Sequence, residues 1–173
     1  AEIPFSLKSS EIVFIAVGTP ALPNGDVDMS YVLRAAETIG QYMEDYKIIV
    51  NKSTVPVGTT HKVRDLIASR TSHEFHVADN PEFLKEGDAI NDFMKPDRVV
   101  CGVEHATAAN LMESLYEPFV RQGNPILIMD VRSAEMVKYA SNAMLACKIS
   151  FVNEISRLCE RYGADIKHVR EGM

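Results

Sequence analysis

The chain predicts an α/β fold: a parallel, doubly wound sheet followed by one long helix. Three observations carry this. Short apolar runs rich in β-branched residues recur in "EIVFIAVGTP", "KIIVNKST", "FHVADNPEF", "RVVCGV" and "PILIMD", and runs of that length suit strands buried on both faces. They alternate with segments of helical periodicity, and strand, helix, strand, helix, strand makes successive βαβ units with right-handed crossovers. Finally, the stretch from Ser133 to about Tyr162 contains neither Pro nor Gly.

The opening "AEIPFSLKSS" reads as the end of a connection feeding a strand. Ile12 to Val17 form that strand, which stops at Gly18-Thr19-Pro20 and the turn-rich "ALPNGDVD". Asp28 or Ser30 caps the helix "MSYVLRAAETIGQYM", whose Val32, Leu33, Ala36 and Ile39 make one apolar stripe. "KIIVNKST" is the second strand, "VPVGTTHKVRDLIAS" a loop and helix, and "FHVADNPEF" the third strand with its loop. The pattern is less regular after Phe93, with "RVVCGV" and "PILIMD" as strands around the helical "ATAANLMESLYEPFV". The long helix would span roughly 45 Å. Between Ala143 and Val152 it is apolar on nearly every side, through Met144, Leu145, Ile149, Phe151 and Val152. A helix of that kind is buried all round, so it is expected to join two domains and pack against a partner chain. Gly163 stops it, and "ADIKHVREGM" begins a final helix. The expected division is residues 1–132 and 133–173.

With 46% hydrophobic and 24% charged residues, the 173-residue chain has a globular composition. Its net charge of −6 argues against a nucleic-acid binder, which needs a basic face. The three cysteines, Cys101, Cys147 and Cys159, form no CxxC pair. That disfavours a disulfide framework or a zinc site and points to a reducing cytosol. No metal site is read. No apolar run approaches the roughly 18 residues of a membrane span, and the N-terminus has no signal-peptide pattern. The chain lacks a starting Met and stops within a helical pattern, so it reads as an internal piece of something longer.

In a doubly wound sheet, ligands bind outside the carboxyl ends of the strands. Three loops belong there: "GTPALPNG", "STVPVGT" and "DNPEFLKEG". On that placement Thr19, Ser53, Thr54, Asn80 and Glu82 all face one crevice; equally, strand ends simply need turns. Glu82 follows Asn-Pro directly, where a fixed, partly desolvated carboxylate suits a general base. Glu86, four residues on, also suits a charge-matched first helical turn, and so does Glu82. Lys138 and Asn142 share one face of the long helix, amid Met136, Val137, Ala140 and Met144. Such a pair can stabilise a developing oxyanion; alternatively the lysine snorkels to solvent and the asparagine bonds a neighbouring helix. His73 and His76 read as solvated, and His61, His105 and His168 as isolated. Cys147 and Cys159 read as small core residues. Neither GxGxxG nor GxxxxGK[ST] occurs.

Together "VFIAVGTP", "NKSTVPVGTT", "NPEFLKEGDAINDFMKPDRVVCG", "AEMVKYASNAMLACKISFVNEI" and "CERYGADIKHVREGM" resemble the UDP-glucose/GDP-mannose dehydrogenase family of nucleotide-sugar dehydrogenases, most closely the members acting on UDP-glucose. The matching stretches follow the family's order over almost the whole chain. The resemblance implies the second half of a Rossmann-like NAD-binding sheet in residues 1–132 and a dimerisation helix in 133–173. It implies a four-electron oxidation with two NAD molecules, carrying the sugar C6 alcohol through an aldehyde and a cysteine thioester to UDP-glucuronate, in the cytoplasm and for polysaccharide biosynthesis. On matching positions Glu82 would be the acid/base carboxylate, Thr54 would hold the catalytic water, and Lys138 would steady oxyanion character with Asn142 beside it. Thr19, Thr54 and Glu86 would lie near the NAD. Glu82, Phe83, Leu84, Lys85, Lys138 and Asn142 would line the UDP-sugar pocket, and the long helix would make a homodimer.

The departures are equally specific. The family's first strand and Gly-rich turn are absent, and none of the three cysteines matches its nucleophile, which belongs beyond Met173. The chain alone is therefore expected to be inactive, with a sheet edge left exposed. A GDP-mannose or UDP-N-acetylmannosamine dehydrogenase is the rival within the family, and a non-catalytic assembly module the rival outside it.

Overall fold

The computed structural model describes residues 3–85, 87–120 and 123–173. These fall into two units, 1–138 and 139–173.

The first unit is a five-stranded sheet between helices. Its strands are β1 (Ile12–Ile15), β2 (Lys47–Asn51), β3 (Phe75–Asp79), β4 (Val99–Val103) and β5 (Ile126–Met129), in that spatial order. β1, β2 and β3 run parallel, as do β4 and β5, but β4 is antiparallel to β3. The first three strands are parallel as their βαβ order implies, and the departure falls where the pattern becomes less regular. The chain between β3 and β4 returns through an irregular loop and the short α4 (Ala89–Met94) instead of a full crossover helix, so β4 enters from the opposite end.

Each face of the sheet has its own apolar layer. On one, Ile15, Ile49 and Val77 pack against α2 (Ser30–Tyr42) and α3 (Thr59–Ala68) through Val32, Ala36, Ile39, Val63 and Ile67. On the other, Ile48, Val50, Ala78, Val99 and Cys101 pack against Ala108, Met112 and Tyr116 of α5 (Ala106–Tyr116). The alternation of Ile48, Ile49 and Val50 between layers is the period-2 geometry of a strand covered on both faces. Each such side chain contributes about 1.5–3 kcal/mol relative to exposure.

The opening segment is helical, not a plain connection: α1 spans Ile3–Ser9. Leu7 inserts into the α2–α3 layer, and the Ser9 and Ser10 hydroxyls donate to carbonyls one turn back, at Phe5 and Ser6. That tertiary anchor leaves no periodic signal in so short a stretch. β1 is an outer strand of the sheet. Beside it lies an open apolar hollow of about 1310 Å³ between α1, β1 and α2.

α6 runs over Val131–Tyr162, 32 residues. Its first turn belongs to the sheet unit. Gly102 of β4 lets it approach so closely that a Cβ there would meet Ala134 Cβ at 2.6 Å and Val131 Cα at 2.8 Å. The second unit comprises the rest of α6 and α7 (Ile166–Gly172), which Asp165 caps by accepting the Lys167 amide at 2.7 Å. Within this chain Met144, Leu145, Ile149 and Phe151 are between 54 and 59% exposed. All-round burial is therefore not achieved by the 173 residues themselves. Among the described residues no helix is long and apolar enough to cross a membrane.

Candidate functional site

The site is set by where three parallel strands end. In register, Ile15 pairs with Asn51 and Asn51 with Asp79, so the loops after β1, β2 and β3 leave the sheet side by side. The first two are stitched together. Ser53 Oγ accepts the Val17 amide at 2.9 Å and donates to the Val17 carbonyl at 2.7 Å. Thr19 Oγ1 donates to the Thr54 carbonyl at 2.9 Å. Thr19 and Thr54 are thus brought together, but neither lines the crevice that Asn80 and Glu82 line. Ser53 is corrected to a structural role, because its buried hydroxyl is consumed between loops.

Asn80 is the pin of the third loop. Its amide donates to Asn51 O at 2.8 Å and its Nδ2 to Val100 O at 2.8 Å. Its Oδ1 accepts from Tyr116 Oη and from Lys52 Nζ, the latter at 3.0 Å. A fully used, buried amide of this kind is a clamp, although Asn80 still forms part of the crevice wall. The clamp holds Pro81 and presents Glu82, which stands in irregular chain and not in a helical turn; the charge-matched helix start is thereby excluded for it. Glu86 lies outside the described residues.

Lys138 does not snorkel. Its ammonium donates to the Glu82 carbonyl and stands 5.5 Å from the centre of the Phe83 ring, whose face also carries the Arg98 guanidinium at 4.2 Å. Lys85 is exposed and pairs with Asp92 at 3.1 Å. Its amide donates to the same carboxylate at 2.7 Å. Leu84 completes this wall. The crevice, about 610 Å³ and open to solvent, is bounded chiefly by Lys52, Glu82, Phe83, Phe93, Arg98 and Tyr116. Asn142 belongs to the second unit and is exposed.

Burial pulls Lys138 and Lys52 below the ordinary lysine range, the negative charge of Glu82 opposing in both cases. Behind the crevice Asp79 is 1% exposed. Burial lifts its carboxyl to about 7, against the Asn51 hydrogen bond and with help from the Glu135 charge. Cys101, sealed under Asn80, is pushed up to about 12 by burial and is no nucleophile.

Sequence reasoning missed Lys52, Asp79, Arg98 and Glu135. A lysine directly after an apolar strand, and a glutamate three residues before Lys138 on one helix face, were the available signals. Other readings are corrected too. His76 lies in β3 and stacks on His105 at 4.0 Å between ring centres, while His105 Nδ1 caps α5 by accepting the Thr107 amide at 3.3 Å. His61 Nε2 lies 2.6 Å from Glu104 Oε1. Cys147 is exposed, although Cys159 is buried as expected.

Residues 1–120 match the NAD binding domain of the UDP-glucose/GDP-mannose dehydrogenase family, and residues 132–173 match its central domain. The chain belongs to this family. Over 174 residues it is 48% identical to a UDP-glucose 6-dehydrogenase of Bacillus subtilis (strain 168), covering 99% of this chain and 37% of that protein. It is also 48% identical over 178 residues to the UDP-glucose 6-dehydrogenase of Pseudomonas aeruginosa, covering 100% and 39%. Among solved structures, a UDP-glucose dehydrogenase from the hyperthermophilic archaeon Pyrobaculum islandicum superposes with a TM-score of 0.90 at 42% identity, over 98% of this chain and 40% of that one. A ternary complex of GDP-mannose dehydrogenase from Pseudomonas aeruginosa gives 0.90 at 32%, over 98% and 40%. This member of the dehydrogenase family therefore spans well under half the length of the relatives it matches.

Proposed function

We propose that this chain is part of an NAD-dependent UDP-glucose 6-dehydrogenase that converts UDP-glucose to UDP-glucuronate in the cytoplasm, for polysaccharide biosynthesis. The observation that carries the reading is the meeting of Lys138 and Glu82: a half-buried ammonium from α6 tied to the turn that presents a carboxylate beside the strand ends. The higher identity to the solved UDP-glucose dehydrogenase, 42%, than to the solved GDP-mannose dehydrogenase, 32%, favours this sugar over its rivals.

The residues present fit one side of an NAD molecule. Gly18 and Gly58 have open space where a Cβ would stand, and the stitched Thr19 and Thr54 loops lie at the ends of parallel strands. No Gly-rich turn for a pyrophosphate occurs in the chain. When bound, NAD supplies the acceptor for the hydride leaving C6. In this proposal Glu82 takes the proton of the C6 hydroxyl and later activates the water that opens a thioester. Lys138 holds the C6 oxygen as it gains negative charge. Thr54 orients the water, Thr19 and Thr54 lie on the cofactor side, and Phe83, Leu84 and Lys85 line the sugar-nucleotide side. The thioester is assigned to a cysteine outside these residues. The division at residue 132 is supported by family matches that end at 120 and resume at 132. A homodimer through α6 is supported by its exposed apolar side chains.

The test uses the full product of the gene. It should release two NADH per UDP-glucose and turn over GDP-mannose and UDP-N-acetylmannosamine far more slowly. Glu82→Gln should slow turnover roughly 10²–10⁴-fold, and Lys138→Ala roughly 10²–10³-fold. Undiminished turnover in Glu82→Gln, or preference for another sugar nucleotide, would overturn the reading.

A further inference from the structure

α3 begins without a cap of its own. Its N-cap is Gly58, at φ +92°, which has no side chain to accept the free amides of the first turn. The acceptor comes instead from α6. Glu135, 2% exposed, receives the Gly58 amide on one carboxylate oxygen and the Thr60 amide, at 2.8 Å, on the other. Two charge-assisted bonds at the positive end of a helix dipole are a strong arrangement. They span some 75 residues of sequence.

The buttress behind this carboxylate is stiff. Asp130 accepts the Ser133 amide at 2.9 Å and its hydroxyl at 2.5 Å. Val131 and Ala134 are buried, with α6 pressed against β4 at Gly102. Three residues after Glu135, on the same helix face, Lys138 ties down the Glu82 turn. One rigid helical turn therefore grips two of the strand-end loops, one with an anion and one with a cation, and fixes the distance between them.

We propose that Glu135 is a positioning residue: by accepting the Gly58 and Thr60 amides it sets the Ser53–Gly58 loop, and hence Thr54, at a fixed separation from Glu82. The contacts stand by themselves; only the catalytic consequence rests on the role proposed above for Thr54. Loosening the loop would slow the step that uses water more than the binding of the sugar nucleotide, since displacements of about 1 Å cost roughly 10²-fold when geometry is catalytic.

The experiment has two arms. In the unmodified 173-residue chain, the Gly58 and Thr60 amides should be protected from hydrogen exchange by the Glu135 carboxylate. In Glu135→Gln, which keeps the shape but only one accepting oxygen, hydrogen-exchange protection should fall selectively at Gly58 and Thr60 while β2 stays protected. The Asp79 titration should also move down, because the neighbouring negative charge is gone. In the full gene product, Glu135→Gln should lower kcat roughly 10–100-fold, with KM for UDP-glucose within about twofold, the signature of an interaction needed beyond ground-state binding. Gly58 and Thr60 amides that exchange freely in the unmodified chain, or a kcat unchanged in the variant, would overturn the proposal. If the variant fails to fold, the exchange protection of the unmodified chain decides. If the full product has no dehydrogenase activity, the functional reading fails while the amide protection still judges the Glu135 contact.

Discussion

Asp79 closes β3 with its carboxyl group out of water. Oδ1 accepts from Asn51 Nδ2 at 2.7 Å and lies 3.5 Å from Thr60 Oγ1, while Oδ2 has no partner among the described residues. Asn51, Thr60, Glu135 and Lys52 surround it, and burial holds its pKa at about 7 against an ordinary 3.8. Because the folded value is the higher one, folding favours the protonated form. The stabilisation is complete below the ordinary value and is lost as pH rises through about 7. The full span is on the order of 4 kcal/mol. Urea unfolding of the wild type and Asp79→Asn from pH 4 to 8 should show the variant gaining on the wild type across that window; parallel curves would refute the assignment. Asp79 was illegible in the sequence, and for Glu135 only the spacing to Lys138 was visible, because their partners lie tens of residues away. Glu82 and Lys138 were legible because a helix breaker before one, and apolar neighbours around the other, made each locally conspicuous.

The strands were readable at the scale of elements because burial on both faces removes polar residues from them, and α6 because nothing in it interrupts helix. The direction of β4 was not, since it depends on a loop and a short helix whose path has no periodic code. Nor was the packing of α6 on β4, which turns on one missing side chain. Gly102→Ala would drive a methyl into Ala134 Cβ at 2.6 Å and Val131 Cα at 2.8 Å. Overpacking of this sort costs about 1–3 kcal/mol. Ala134→Gly removes one of the two obstacles, so the double variant should be less destabilised than the sum of the single changes, measured by urea unfolding. Strict additivity would mean that the two positions do not touch.

At the scale of the whole molecule, the second unit has only 35 residues, from Tyr139 to Met173, too few to enclose a core of its own. Cys159 is its buried apolar residue, while Leu158 and Tyr162 join Met144, Leu145, Ile149 and Phe151 in facing outward. Phe151, Ile155, Leu158 and Tyr162 repeat at alternating four- and three-residue spacing, a stripe suited to another helix. Two surfaces can therefore draw copies together: this stripe, and the outer edge of β1 with its exposed Phe14. They differ in closure. A helix face meeting its own copy about a twofold axis stops at two, whereas edge pairing can add further strands. Sedimentation velocity at rising concentration should give a single dimer boundary that Phe151→Asp with Leu158→Asp abolishes, with helical circular dichroism falling on dilution. Phe14→Lys should leave that dimer intact and remove only larger species. A monomer at all concentrations with constant helicity would sink the proposed α6 dimer, and a dimer broken by Phe14→Lys alone would move the interface to the sheet edge.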